Sequence, residues 1–433
     1  MPSPTNSTAT GAELHALAAR LYPLCRSITG DGVRATLDLL EEWVPLSRAE
    51  VPTGTPVLDW TVPKEWRLNH AYLVAPDGRR FADAAVHNLH LLNYSAPFRG
   101  RMPLAELKPH LFTLPEKPEL VPYRTSYYRE TWGFCLPHRE VEALPEGDYE
   151  VVVDTELFDG ALTYAELALP GEVESEVLLA THTCHPSLAN DNLSGIVVLA
   201  ALARELAARP RRHLSYRFLF APGTIGAITW LARNDAKTSK IAHGLVAAGL
   251  GDGGAFHYKK SRRGDAPIDR AVPAALAGLG ETVVVEDFVP FGYDERQYNS
   301  PGFALPVGSL TRTPWGRYPE YHTSADDLGF IRPEHLERSL AAYRAVVDLL
   351  EGNATYRNRS PKGEPMLGRR GLYRPIGGDE AGRERELALL WVLNLSDGVH
   401  DLLSIAERAK LPFPRVREAA DRLLEAELLV EID

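Results

Sequence analysis

A chain of 433 residues is longer than one hydrophobic core ordinarily organises, so two or three compact units are expected. With 45% hydrophobic and 24% charged residues it has globular composition, which excludes a mainly disordered or fibrous protein. A formal net charge of −11 argues against a general nucleic-acid or anionic-membrane partner, because either needs an excess of Lys and Arg.

Three cysteines, Cys25, Cys135 and Cys184, are too few and too odd in number for a disulfide scaffold, so a reducing cytoplasm is the expected location. No stretch reaches the roughly 18 apolar residues of a membrane span, and no membrane partner is expected.

In chain order, apolar residues at three-to-four spacing predict helices from Ala12 to Leu24 and from Gly32 to Val44. From Pro56 the texture changes to short aromatic and β-branched runs broken by Pro, Gly and Asn, which predicts an inserted β-rich subdomain over residues 58–134. From Tyr149 strand and helix patterns alternate. "EVLLATHT" (176–183) is read as a strand, "SGIVVLAALARELAAR" (194–209) as a helix and "LSYRFLFA" (214–221) as a strand. "HGLVAAGLG" (243–251) follows as a strand, "DRAVPAALAGLG" (269–280) as a helix, and "TVVVEDFV" (282–289) and "LPVGSLT" (305–311) as strands. "RPEHLERSLAAYRAVVDLLEG" (332–352) closes the series as a long helix. The expected fold class is α/β, a mostly parallel mixed sheet flanked by helices, built from residues 1–57 and 135–352. Residues 353–380 have linker composition, and 381–433 show three helix patterns and a β-prone end, the order of a winged helix.

In such a sheet the ligand site lies at the carboxyl ends of the strands. His182 falls at the end of one predicted strand, with His185 and Asp191 within ten residues of it. A single buried His is ordinarily a hydrogen-bonded core residue. Two His and one Asp at one strand end are costly to bury unless something cationic or catalytic offsets them. Asp252 follows another apolar run, and His322 lies in the loop after "LPVGSL". Together these are imidazole and carboxylate donors from separate strand ends, the usual make-up of a hydrolytic zinc site.

The strings "THTCHPSLANDNLSG", "GDGGAFHYKKSRRG", "YDERQYNSPGF" and "PEYHTSADDL" resemble the zinc aminopeptidase family of bacterial leucyl aminopeptidase, glutamate carboxypeptidase and glutaminyl cyclase. With "LYPLCRSITGDG" and "VPYRTSYYRETWGFCL" they resemble a narrower group that has an inserted subdomain and a winged-helix tail. The resemblance implies Zn²⁺ as cofactor, Asp191 as the central carboxylate, Asp252 and His322 completing one site with it, and His182 at a neighbouring position. It also exposes departures. Where the family carries a pair of glutamates, residues 221–223 read Ala-Pro-Gly, so one zinc ion is expected to be well held and a second is short of a ligand. His185 then becomes an additional candidate ligand, with Cys184 where a supporting carboxylate is expected. A general base has to come from elsewhere. Glu295 ranks first, then Glu320, with Glu130 of the insert a third.

The basic run "YKKSRRG" (258–264) is read as a solvated turn or as a subsite for a substrate carboxylate or phosphate. The aromatic run Tyr123, Tyr127, Tyr128 and Trp132 is read as core or as a lid that admits only small substrates. Two functions fit this pattern. One is a zinc-dependent hydrolase cleaving an amide bond in a small peptide or peptide-like biosynthetic intermediate; the other is a non-catalytic ligand-sensing regulator that uses the winged helix. Residues 381–433 carry seven basic against eleven acidic side chains, so nucleic acid is not expected as a partner, and a homo-oligomer through this module is.

Overall fold

The computed structural model describes residues 8–373 and 380–432; the N-terminal tail before residue 8 and the 374–379 part of the expected linker lie outside them. By packing, the chain forms two units. The first runs through Gly264 and resumes at Val284–Leu340; the second consists of Asp265–Val283 and the residues from Ala341 onward.

The first unit is organised by an eight-stranded sheet. Its strands are β1 (Ser47–Pro52), β2 (Ala161–Leu169), β3 (Glu176–His182), β4 (Ser215–Ala221), β5 (Ile241–Ala247), β6 (Phe256–Lys259), β7 (Val283–Glu286) and β8 (Val307–Thr311). The spatial order is β1-β2-β4-β3-β5-β8-β6-β7. The four central strands β4, β3, β5 and β8 pair in parallel, while β1, β2 and β6 attach antiparallel, so the sheet is mixed around a parallel centre. Near-continuous apolar runs such as Val177–Ala180 mark these central strands, because helices cover a parallel sheet on both faces and leave no side for polar residues.

Alternation sorts the two faces. Leu178 and Ala180 of β3 and Leu219 of β4 share a core cluster with Ile225, Ile228 and Trp230 of the helix Ile225–Arg233. The helix Gly195–Ala208 packs across β2 to β5, with the N-terminal helix Gly11–Leu21 against it. That first helix starts on a capping box. Thr10 Oγ1 accepts from the Glu13 N–H, and the Glu13 carboxylate accepts from the Thr10 N–H.

The insert is larger than residues 58–134. Its four-stranded sheet runs Arg80–Phe81, Glu65–Val74, Asp148–Phe158, Phe98–Pro103. The strand Asp148–Phe158 belongs to it because Tyr149, Val151 and Val153, at alternate positions, are buried on its apolar side. Leu73, Val151 and Val153 lie in the same cluster as Leu178 and Ala180, so the insert's sheet shares the core of the large sheet, while Leu89, Val121, Tyr123 and Cys135 form a smaller cluster with Leu188. The segment between the aromatic runs also ties back. The Tyr123 N–H donates to the His322 carbonyl at 2.8 Å.

In the second unit the helices Glu380–Leu395, Leu402–Ala409 and Phe413–Glu425 accompany a three-stranded sheet ordered Asp397–Asp401, Thr355–Asn358, Leu429–Ile432. This changes the expected boundary. Thr355–Asn358 lies inside the segment read as linker yet is the central strand, its Tyr356 buried. The helix Pro267–Gly278, read as part of the α/β domain, also packs with this unit, with Arg270 paired to Glu407 at 2.6 Å. Among the described residues no helix is long and apolar enough to cross a membrane.

Candidate metal centre

β3 ends at His182, and the chain then passes through Cys184 and His185 into the turn Ala189–Ser194, which carries Asp191. Every residue from Thr181 to Gly195 is buried. His182 Nε2 lies 2.9 Å from Asp191 Oδ1 and His322 Nε2 lies 3.1 Å from Asp191 Oδ2. His185 Nε2 stands 3.8 Å from the same Oδ2. Three imidazoles thus turn their ε nitrogens onto one carboxylate.

The turn is held from behind. The Asn190 and Asp191 N–H groups donate to the Asp326 carboxylate, and Arg26 Nε donates to the His185 carbonyl at 2.9 Å. His322 adopts a left-handed backbone (φ +53°), a strained conformation kept in place by its carbonyl's bond from Tyr123. Behind His182, Asn192 Nδ2 donates to the His182 carbonyl at 3.1 Å and to Thr181 Oγ1 at 2.8 Å.

The electrostatics suit a metal. Burial raises the cost of a charged Asp191, but His185, His182 and His322 more than offset it and hold the carboxyl well below its ordinary range. Burial pulls His185 down to about 3, opposed by Asp191 and assisted by the other two imidazoles, the direction that favours the neutral ring a metal requires. His182, His185 and Asp191 each offer a ligand atom within 4.8 Å of the others. With His322 beside them the donors are imidazole nitrogen and carboxylate oxygen, the set preferred by Zn²⁺.

Asp252 stands apart from this group. Its Oδ1 accepts from the Gly254 N–H at 2.7 Å and Thr313 Oγ1 at 2.8 Å, and its Oδ2 accepts from Asn190 Nδ2 at 2.9 Å. A carboxylate engaged on both oxygens anchors the turn that presents Asp191, and it is His185, not Asp252, that joins His182 and Asp191 in the converging group.

The candidate bases also fall away. Glu295 is fully buried and ion-paired with Lys259, itself almost fully buried. This also removes Lys259 from the expected solvated basic turn: it lies at the end of β6, and Lys260 pairs with Asp287 at 3.3 Å. Glu320 contributes its backbone carbonyl to Thr323, and its side chain does not line the cavity above Asp191. Glu130 is exposed and 3.8 Å from Lys64. Residues 221–223 close the end of β4 without a carboxylate. Gly223 is required there, since a Cβ would sit 2.0 Å from the Tyr293 ring.

What the sequence reading missed is aromatic. Tyr293, Trp315, Tyr321 and Phe291 line the cavity. The Tyr293 ring is 4.5 Å from that of His182, and Tyr321 stacks on His322 at 3.9 Å. The adjacency of Tyr321 to His322 was the available signal. Tyr123, read as a lid residue, does reach the site, 5.0 Å from both His185 and His322.

Comparison with known proteins agrees with this architecture. Residues 15–353 match a family described as a domain of unknown function, DUF4910, and residues 354–431 match a winged helix-turn-helix family. A Clostridium acetobutylicum protein, provisionally named a polysaccharide biosynthesis protein with aminopeptidase-like domain, is 48% identical over 424 residues, covering 98% of this chain and 97% of that one. The crystal structure of a provisionally named peptidase from the same organism superposes with a TM-score of 0.92 at 47% identity, covering 98% of this chain and 96% of that one. A zinc aminopeptidase from Bacillus subtilis matches with a TM-score of 0.57 at 13% identity over 78% of this chain and 94% of its own, which establishes the fold. An aminopeptidase-like mixed sheet, continued by a winged helix, identifies the chain as a member of the DUF4910 family.

Proposed function

We propose that the protein is a zinc-dependent hydrolase that cleaves an amide bond in a small biosynthetic intermediate, using one metal ion held by His182, His185, Asp191 and His322. The observation that carries this reading is the turning of three imidazoles onto one buried, ionised carboxylate. The name of the Clostridium relative supports a place in polysaccharide biosynthesis. Bound Zn²⁺ would supply Lewis-acid polarisation of the amide carbonyl and lower the pKa of a coordinated water to about 7.

The chain's own residues prepare for that chemistry. His182, His185 and His322 present ε nitrogens, and Asp191 supplies the negative charge that makes the site attractive to a dication. Asp326 and Asn192 fix the turn and the strand end from which these groups project. The aromatic walls lower the polarity around these groups, which strengthens the charge interactions among them.

The test is to strip the full chain with chelator and restore zinc while following amide hydrolysis. Activity should vanish on stripping and return with one equivalent. A protein with tightly bound zinc and no amidase activity on any blocked or free amide overturns the reading.

A further inference from the structure

The cavity above Asp191 has the wrong chemistry for a free N-terminus. Among its described lining residues the sole carboxylate is Asp191, already faced by three imidazoles, and no Lys or Arg lines it. The neighbouring Lys259–Glu295 pair is buried behind the cavity wall, where Lys259 Nζ also donates to the Phe291 carbonyl at 2.8 Å and Glu295 accepts from the Tyr293 N–H at 3.1 Å. A peptide's α-ammonium brought here would be desolvated without an anionic partner, and a substrate carboxylate would meet no cation.

Size gives the second constraint. The cavity holds about 70 Å³, only a few times the roughly 30 Å³ that one water takes up in the liquid. That suits an amide with one or two further carbons better than one with a leucine-sized side chain. The remainder of the substrate must lie at the mouth, where Phe291 is 80% exposed and Trp315 is half-buried. A large aromatic ring left in water beside a polar catalytic cavity is a surface for a ligand's apolar face.

Resting on the hydrolase reading above, the geometry points to a substrate that is uncharged on both sides of the scissile bond: a short N-acyl group, acetyl-sized, on an amino sugar whose C–H face lies against Phe291 and Trp315. A pyranose has a flat apolar face and hydroxyl edges that stay in water, which suits an aromatic rim without charged side chains. In the reaction water adds to the acyl carbon and the C–N bond breaks. The acyl group departs as carboxylate and the nitrogen leaves as the amine, taking up a proton, with no oxidant or reductant required.

The full chain, metal-free, is titrated calorimetrically with N-acetylglucosamine, glucosamine and leucinamide. The acetylated sugar should bind at least about fivefold more tightly than either amine. Phe291→Ala, a change at an exposed position that leaves the fold intact, should remove most of that preference. Tighter binding of an amine, or no binding of the acetylated sugar, overturns the inference. The zinc-loaded protein is then assayed for acetate release from N-acetylglucosamine and for nitroaniline release from leucine p-nitroanilide. Acetate release supports it. Nitroaniline without acetate, or neither product, overturns it and leaves the hydrolase reading to its own test on the wider set of amides.

Discussion

The sulfur of Cys184 lies 3.2 Å from Nδ1 of His185, on the side of the ring away from Asp191. Burial pushes the thiol up to about 12, so it stays neutral, and Tyr293 Oη completes its surroundings at 3.2 Å. With His185 Nε2 held to a metal, Nδ1 would carry the proton and its N–H would donate a hydrogen bond to this sulfur, which would fix ring orientation and tautomer. Cys184→Ala should therefore weaken zinc binding about tenfold, and Cys184→Ser should largely preserve it. Competition with a chromophoric chelator measures both; equal affinity in all three proteins would show that the thiol merely packs.

Asp191 and Asp252 make a sharper contrast. Asp191→Ala should abolish stoichiometric zinc, because it removes the charge that three imidazoles face. Asp252→Asn should retain close to one zinc per chain, since its oxygens already serve Asn190, Gly254 and Thr313. Elemental analysis after gel filtration decides, and loss of zinc in the Asp252 variant would return that residue to the ligand set.

Lys259→Met leaves the buried Glu295 carboxyl without its cationic partner, with only the Tyr293 N–H donating to it at 3.1 Å. A cost of about 3–5 kcal/mol is expected, the usual result of breaking a buried pair from one side. Urea denaturation reads it. Were Glu295 instead the general base, Glu295→Gln would lose turnover with its urea midpoint unmoved; the expected outcome is a lowered midpoint.

His243 gives a pH signature remote from the metal centre. Burial lowers its pKa to about 4, and its Nδ1 has no partner among the described residues. The folded protein keeps it neutral while the unfolded chain takes up a proton below about pH 6.5. Stability must then fall as pH drops from about 6.5 to about 4, by up to about 1.4 kcal/mol per pH unit for this one proton. His243→Leu should remove that increment from the wild-type curve. Parallel urea midpoints for the two proteins at pH 7 and pH 5 would contradict it.

The winged helix should not bind DNA. On the helix Phe413–Glu425, Arg415 pairs with Glu418 at 2.7 Å and Arg417 with Asp421 at 2.6 Å, so cations that would have to reach phosphates are already engaged. Anisotropy of the full chain with random-sequence duplex at low salt should stay flat. Salt-sensitive binding would revive a regulatory role.

The parts of this molecule that could be read from its sequence are those governed by local pattern. The run Glu176–His182 announces a buried parallel strand because both of its faces are apolar, and His182 at its end follows from that assignment. Distance in sequence hid the rest. That Glu295 closes on Lys259, 36 residues earlier, or that Asp252 spends its oxygens on Asn190 and Thr313, depends on how β5, β6 and β8 come side by side. Nor does "DYEVVVDTELF" declare which sheet it joins, since alternating burial looks the same in either.

That strand has a practical consequence for anyone wishing to trim the protein. Asp148–Phe158 lies in the insert's sheet and runs through Asp159–Gly160 directly into β2 of the large sheet. Excising residues 58–134 as a cassette would leave Tyr149, Val151 and Val153 facing water and would take away the Tyr123 N–H that steadies His322. The insert is thus a keystone for the cavity above Asp191, and any shortened version of this chain has to keep it.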